Sequence, residues 1–455
     1  MTGQSQSLRS KIVTSAKLSS LRFASDIGLR LLSTVVLTRL LAPEIYGVFA
    51  VVLVYLYILE MCSDLGLRSL IVTLENEPDE TFLSTCWTVS ILRGVLIVLV
   101  SVSLAGLLFW LQSIGAFAAE TPYADPVLPL TLLALGFSAW LYGFETPRRF
   151  VNERSMRFGW VTTVDVVRNV ITLLVTIALA YYLRSVWALV LGNFVRSGLH
   201  VAFGFAVFRG PAPRLSLNRQ ALSLVIARGK WILGHSTLTA LTMSADRIFL
   251  GAVMTSSTFG FYYIARQLVD ILPKFLESLN AQMGMQVFTQ LHQRNADNFR
   301  RQYYRYRVIF DAAAAIGAGA LIVLAPLLVD IIFDDRYLGI APIVQIIALA
   351  TVLTGPLILR SVFNAAREFR ETTFFSLISL AVLWLGLFVA VWGFGSETAA
   401  LFVIALFRLP ELVVMTSLGW RRGWVTPWRE FLPVLFLGLG WMLGSGIAML
   451  AEPLL

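Results

Sequence analysis

Arg266, Asp270, Lys274 and Glu277 stand at i, i+4, i+8 and i+11 of the stretch "YYIARQLVDILPKFLESLN" (Tyr262–Asn280). At 100° per residue they fall within roughly 80° of one another on a helix. The surrounding sequence is long and apolar enough to cross a membrane. A charge near the bilayer centre costs about 2.5 kcal/mol on insertion scales, so four on one lipid-facing stripe are excluded. The stripe faces protein or water. It lines a hydrated cavity, or its alternating charges neutralise one another inside a helix bundle, and the two are compatible. Pro273 in the same stretch predicts a kink, because it removes a backbone donor and crowds the preceding turn.

The pattern recurs. Arg22, Asp26 and Arg30 are spaced i, i+4 and i+8 in the first apolar run, with Ser33 at i+11. His235, Thr239, Thr242 and Asp246 share one face further along and are followed by Arg247, and Asp64 extends the polar series in the second run. The simplest arrangement is a hydrated cavity between two lobes, lined by the first, second, seventh and eighth spans. Blander readings stand beside it. Arg22 and Arg360 lie near inner span ends and can snorkel. Glu60 and Glu145 suit burial beside nearby arginines, Asp165, Arg168 and Asn169 suit a structural ion pair, and His235 alone suits a structural hydrogen bond.

The elements that must carry these residues follow from composition. The 455-residue chain is 57% hydrophobic and 14% charged, with mean hydropathy +0.77. A soluble domain is about 45–50% apolar and about 25% charged, so this is an all-α polytopic membrane protein. Runs of about 20 apolar residues fall near 18–41, 46–73, 84–111, 127–146, 159–183, 186–208, 231–254, 258–285, 308–333, 340–360, 372–392, 398–419 and 431–450. The first run carries charge where a signal-peptide core is apolar, so it is read as retained. With the N-terminus in the cytoplasm, 24 of the 36 basic residues fall in inside segments, and only Arg184 and Arg336 fall in outside loops. That bias fixes the orientation and accounts for the net charge of +9 without nucleic acid.

An internal repeat organises the spans. At an offset of 213, Gly47 meets Gly260, Tyr46 meets Phe259 and Asp64 meets Glu277. The same offset sets Phe150 on Phe363, Arg154 on Arg367 and Arg157 on Arg370. Six spans separate the copies, so the halves share one topology and form a parallel repeat. The predicted organisation is an N-terminal lobe over 1–208, a cytoplasmic linker over 209–230, a C-terminal lobe over 231–419 and an extra C-terminal helix within 420–455.

The sequence contains no nucleotide loop, nucleophile elbow or metal-ligand cluster, so no enzyme activity, cofactor or metal is expected. Cys62 and Cys86 form neither a disulfide framework nor a metal spacing.

"RLLSTVVLTRLLAPEIYGVFAVVLVYLYILEMCSDLGLRSLIV" (Arg30–Val72) resembles the opening of Wzx-type polysaccharide and O-antigen flippases, of the multidrug/oligosaccharidyl-lipid/polysaccharide exporter superfamily. The shared features are a mid-helix Arg, a "TRLL-P--YG" turn and "DLGL". "SADRIFLGAVMTSSTFGFYYIARQL" (Ser244–Leu268) resembles the start of their second lobe. The thirteenth span departs from their common twelve.

The resemblance implies transfer of an undecaprenyl-diphosphate-linked oligosaccharide from the cytoplasmic to the outer leaflet of a bacterial inner membrane. For that cargo the charged stripes offer Arg30, Arg247, Arg266 and Lys274 as the expected diphosphate contacts, since arginine can grip phosphate oxygens bidentately. Arg39 and Arg408 are weaker candidates. Asp26, Asp246, Asp270 and Glu277 would keep these cations ionised or bind a coupling ion, with Asp64 beside them in the cavity. Implied partners are the lipid-linked glycan, membrane lipids, and a polymerase and chain-length regulator. Competing readings are a lipid II flippase, a multidrug cation antiporter and a polysaccharide polymerase or ligase. The ten basic residues within spans disfavour a cation carrier, and the short outside loops disfavour the polymerase.

Overall fold

A computed structural model of the protein describes residues 27–451, apart from 75, 156, 157, 209, 211 and 293–295. The described residues contain helices and no strand. In chain order, the first part holds α1 (27–40), α2 (Pro43–Cys62), α3 (Leu67–Thr73), α4 (Glu80–Ser113) and α5 (Leu128–Tyr142). It continues with α6 (Arg148–Arg154), α7 (Phe158–Leu183), α8 (Val186–Val207) and α9 (Arg219–Val253). Next come α10 (Ser256–Val269), α11 (Ile271–His292), α12 (Ala296–Ile332), α13 (Ile340–Ile347) and α14 (Leu349–Val352). The last are α15 (Leu359–Ala365), α16 (Phe369–Phe388), α17 (Glu397–Leu406), α18 (Leu409–Arg421) and α19 (Leu432–Ala451).

Among the described residues, eight helical spans are long and apolar enough to cross a membrane, and a bent pair, Ile340–Val352 with Pro356–Ala365, makes a ninth. Of the other expected spans, α1 is described only from residue 27, α5 is short, and α9 and α10 with α11 carry charge.

Of the spans expected as single helices that are broken, three break for an identifiable local reason. Between α2 and α3, the Asp64 carboxylate accepts the Gly66 backbone N–H at 2.9 Å. Gly66 adopts φ +64°, a left-handed conformation that glycine takes without strain. "DLGL" is thus a helix stop and restart. The α10–α11 break falls at Asp270, just ahead of Pro273. The 40° bend after α14 falls at Gly355–Pro356. Pro356 has no N–H to continue the ladder, and a Cβ on Gly355 would lie 2.1 Å from Asp311 Oδ1.

Residues 219–230, read from sequence as linker, are the first turns of the 35-residue α9. Asn218 Oδ1 caps that helix by accepting from the Gln220 and Ala221 N–H groups at 2.9 and 3.1 Å. Ala221 and Val225 are buried with Leu70, Ile71, Phe82 and Val89. The preceding strip is extended. Its N–H groups at Arg214, Ser216 and Asn218 donate to the hydroxyls of Ser84, Thr88 and Thr85 on α4 at 3.2, 3.0 and 3.2 Å. The segment is fastened down because α4 offers hydroxyls where an extended strip needs acceptors.

The chain divides into two compact units, one ending at Arg247 and one beginning at Ile248, so the boundary lies within α9. In the first unit α5 is in contact with α2, α4 and α8. In the second, α19 lies along α12. A Cβ on Gly440 would be 2.2 Å from the Ile316 carbonyl oxygen, so the small residue sets how closely the two helices approach. α19 is therefore an integral part of the second unit.

Candidate functional site

The first unit encloses a cavity of about 660 Å³ between α2, α3, α4, α5 and α8. Four arginines and three carboxylates line it: Arg68, Arg93, Arg149 and Arg196 against Glu60, Asp64 and Glu145. Their commitments differ. Arg93, from α4, donates to the Glu60 carbonyl at 2.6 Å and to Ser63 Oγ at 3.0 Å, and lies 4.0 Å from Asp64. Arg68 is paired with Glu153 at 2.8 Å. Arg196, in the middle of α8, is exposed in the cavity and makes no hydrogen bond or ion pair among the described residues.

Behind this wall lies a buried polar network. Arg149 reaches Glu145 at 3.1 Å, Asp165 at 2.8 Å and Glu153 at 3.8 Å. Asp165 also binds Arg168 at 3.1 Å. His200 closes the ring, with Nε2 2.5 Å from Glu145 and Nδ1 against the Arg168 guanidinium. Arg168 only donates, so Nδ1 accepts; Arg149 Nη1 also lies 3.0 Å from Nε2, but it can donate to Glu145 Oε1 at 3.1 Å instead, which leaves the Nε2 proton to the 2.5 Å contact with that same oxygen. The network therefore holds Glu145, Glu153 and Asp165 against Arg68, Arg149 and Arg168, with a neutral imidazole. It is balanced internally, which is the condition for keeping charge in a bundle interior. Arg196 and the Glu60 carboxylate stand outside it, both lining the cavity and within electrostatic reach of each other.

The second unit has a smaller cavity, about 210 Å³, lined by Glu277 and Asn280 of α11, Arg360 of α15, and Arg408 and Glu411 at the start of α18.

The sequence-predicted residues distribute as follows. Asp64 lines the first cavity, but one of its oxygens is occupied by the Gly66 turn. Glu277 lines the second, 3.9 Å from Arg408. Arg266 and Lys274 both bind Asp270, at 3.2 and 3.0 Å, so this part of the stripe is an ion-pair chain. Asp246 is buried and accepts the Arg247 N–H at 2.9 Å, and the Arg247 side chain is half-buried. Arg30 is exposed on α1, and Asp26 lies outside the described residues. Sequence reasoning paired Glu145 with a nearby arginine and Asp165 with Arg168, and both contacts are present. It passed over Arg93 and Arg196. They stand alone in their spans rather than in stripes, and the signal that marks them is a single arginine at mid-span.

An apolar multi-span chain with a charged cavity is compared most usefully with membrane carriers. The family model described as polysaccharide biosynthesis protein matches residues 36–342. The chain belongs to that family. A relative within reach of sequence comparison is the lipopolysaccharide biosynthesis protein WzxC of Escherichia coli (strain K12). It is 20% identical over 351 residues, which are 76% of this chain and 68% of WzxC. Among solved structures, lipid II flippase MurJ in its inward closed conformation matches with a TM-score of 0.66 at 11% identity, over 97% of this chain and 99% of MurJ. An inward-facing multidrug resistance MATE family transporter of the MOP superfamily matches with a TM-score of 0.59 at 14% identity, over 87% of this chain and 94% of that one. The family member described here is thus a multi-pass membrane protein with the fold of MOP-superfamily transporters.

Proposed function

We propose that the protein is a flippase, not an enzyme. It carries undecaprenyl-diphosphate-linked oligosaccharide units from the cytoplasmic to the outer leaflet of the inner membrane for exopolysaccharide or O-antigen assembly. Transport uses alternating access of two six-helix lobes, with thirteen crossings, a cytoplasmic N-terminus and no nucleotide. A polymerase and a chain-length regulator act downstream of it.

The observation that carries this reading is Arg196 in the first cavity. A lone arginine at mid-bilayer costs about 2.5–3.5 kcal/mol on insertion scales. Facing a wet cavity relieves that cost, and an entering diphosphate offers the guanidinium the hydrogen-bonding oxygens that Glu60, in electrostatic reach only, does not supply. Neighbouring arginines are held by carboxylates and carbonyls, so Arg196 is the guanidinium whose fork remains for phosphate oxygens. Arg30, Arg247, Arg266 and Lys274 are further proposed contacts along the anion's path. Asp270 pairs with the last two. The polyprenyl tail stays in lipid.

The test is reconstitution in liposomes with a lipid-linked oligosaccharide extracted from the source cells, scored by its accessibility at the outer leaflet. Nucleotide-independent flipping supports the reading. Flipping of lipid II but not of the oligosaccharide lipid would reassign the cargo, and a strict ATP requirement would defeat the mechanism.

A further inference from the structure

The cavity of the second unit has a different chemistry from that of the first. Its two cations are each matched by a carboxylate. Arg360 is paired with Glu411, whose other oxygen is held by Ser379, and Arg408 faces Glu277 at 3.9 Å. An entering anion would have to displace a carboxylate, and an entering cation would meet two guanidiniums. A neutral polar ligand meets neither obstacle.

Uncharged hydrogen-bonding groups complete the wall. Asn280 Nδ2 donates to Ser361 Oγ at 2.9 Å. Asn364 and Thr354 also line the cavity, and their side chains make no hydrogen bond among the described residues. An amide offers two donors and an acceptor, and a hydroxyl offers one donor and two acceptors. That is the complement of a ring carrying adjacent hydroxyls. Leu276, Phe310 and Leu357 supply apolar surface for the ring's C–H face.

The position of the cavity within the chain adds a second line of argument. Its lining residues Glu277, Asn280, Phe310 and Arg360 lie 213 residues after Asp64, Leu67, Ile97 and Pro147, which all line the first cavity. The same places in the two halves of the repeat therefore form the two chambers, with the contents changed. Leu67 has an amide as its counterpart, and the unpaired guanidinium of the first chamber has none in the second.

We propose that this second cavity binds a neutral saccharide ring of the cargo through Asn280, Thr354, Ser361 and Asn364. The identity of the ligand as cargo rests on the flippase reading above; the cavity's preference for a neutral, hydroxyl-rich ligand does not.

The experiment uses the purified full-length protein in detergent. The probes are inorganic pyrophosphate and the oligosaccharide released by mild acid from the source cell's lipid-linked intermediates, with binding followed by saturation-transfer NMR and calorimetry. Both bind the unaltered protein. Asn364→Leu and Thr354→Val each weaken oligosaccharide binding about tenfold and leave pyrophosphate binding unchanged, while Arg196→Ala does the reverse. The proposal is overturned if the oligosaccharide does not bind, if both variants bind it normally, or if they weaken both probes equally. Failure of the liposome assay with oligosaccharide binding intact would instead remove the flippase reading and leave the saccharide site standing.

Discussion

His200 Nε2 lies 2.5 Å from Glu145 Oε1, and the opposite ring nitrogen of His200 faces Arg168. One imidazole thus donates to a carboxylate and accepts from a guanidinium. A glutamine carries one donor and one acceptor group and can serve both partners, whereas a leucine serves neither. His200→Gln is therefore expected to keep most of the thermal stability of the purified protein. His200→Leu and Glu145→Ala are expected to lose it, since breaking one side of a buried charged network costs about 3–5 kcal/mol. Equal melting temperatures for His200→Gln and His200→Leu would contradict the assigned tautomer.

The Asp64–Gly66 turn separates a structural from a functional carboxylate. Asp64→Asn keeps the oxygen that accepts the Gly66 N–H and removes the charge. If Asp64 serves the turn, transport survives Asn and is reduced by Leu. If it binds a coupling ion, Asn abolishes transport at normal protein levels. Gly66→Ala should destabilise by about 1–3 kcal/mol, because the backbone is left-handed there and the new Cβ would lie 2.3 Å from Ile232 Cδ1. Thermal unfolding measures it.

Much of this arrangement was legible in the sequence and some was not, for identifiable reasons. Helix locations follow from apolar runs because a bilayer demands internal hydrogen bonding. Breaks within those runs are set by one or two residues, such as Asp64 with Gly66 or Gly355 with Pro356, and average hydropathy does not register them. The strip before α9 reads as a basic linker, and only the hydroxyls of Ser84, Thr85 and Thr88, far away in sequence, reveal that it is fastened. The charged stripe on α10 and α11 was visible from its period. That Asp270 serves both Arg266 and Lys274 depends on side-chain placement. Arg196 has no period at all and needed the cavity around it to be recognised.

The shared carboxylate makes a graded prediction for the stripe. Asp270→Asn leaves Arg266 and Lys274 without their common partner and should lower the folded yield. Arg266→Ala leaves the Lys274–Asp270 pair in place and should preserve protein levels while abolishing export. Arg266→Lys should restore part of the activity, because lysine keeps the charge and loses the fork. Loss of the Arg266→Ala protein from the membrane would make the stripe structural, and normal export would remove it from the substrate path.

Orientation is checked independently. The proposed thirteen crossings, with the basic bias of the loops, put the C-terminus outside. A reporter fused after Leu455 should be active only when extracytoplasmic, and cytoplasmic activity would require an even number of crossings.

The most direct test of the account is the rate at which liposomes carrying Arg196→Ala protein flip the lipid-linked oligosaccharide, compared with unaltered protein at equal reconstituted amounts. Arg196 makes no hydrogen bond or ion pair among the described residues, so the variant should fold and insert normally. Its flipping should fall at least about tenfold, the scale of one charge-assisted phosphate contact, with partial recovery in Arg196→Lys. A folded Arg196→Ala protein that flips at the unaltered rate would contradict the claim that this cavity receives the diphosphate.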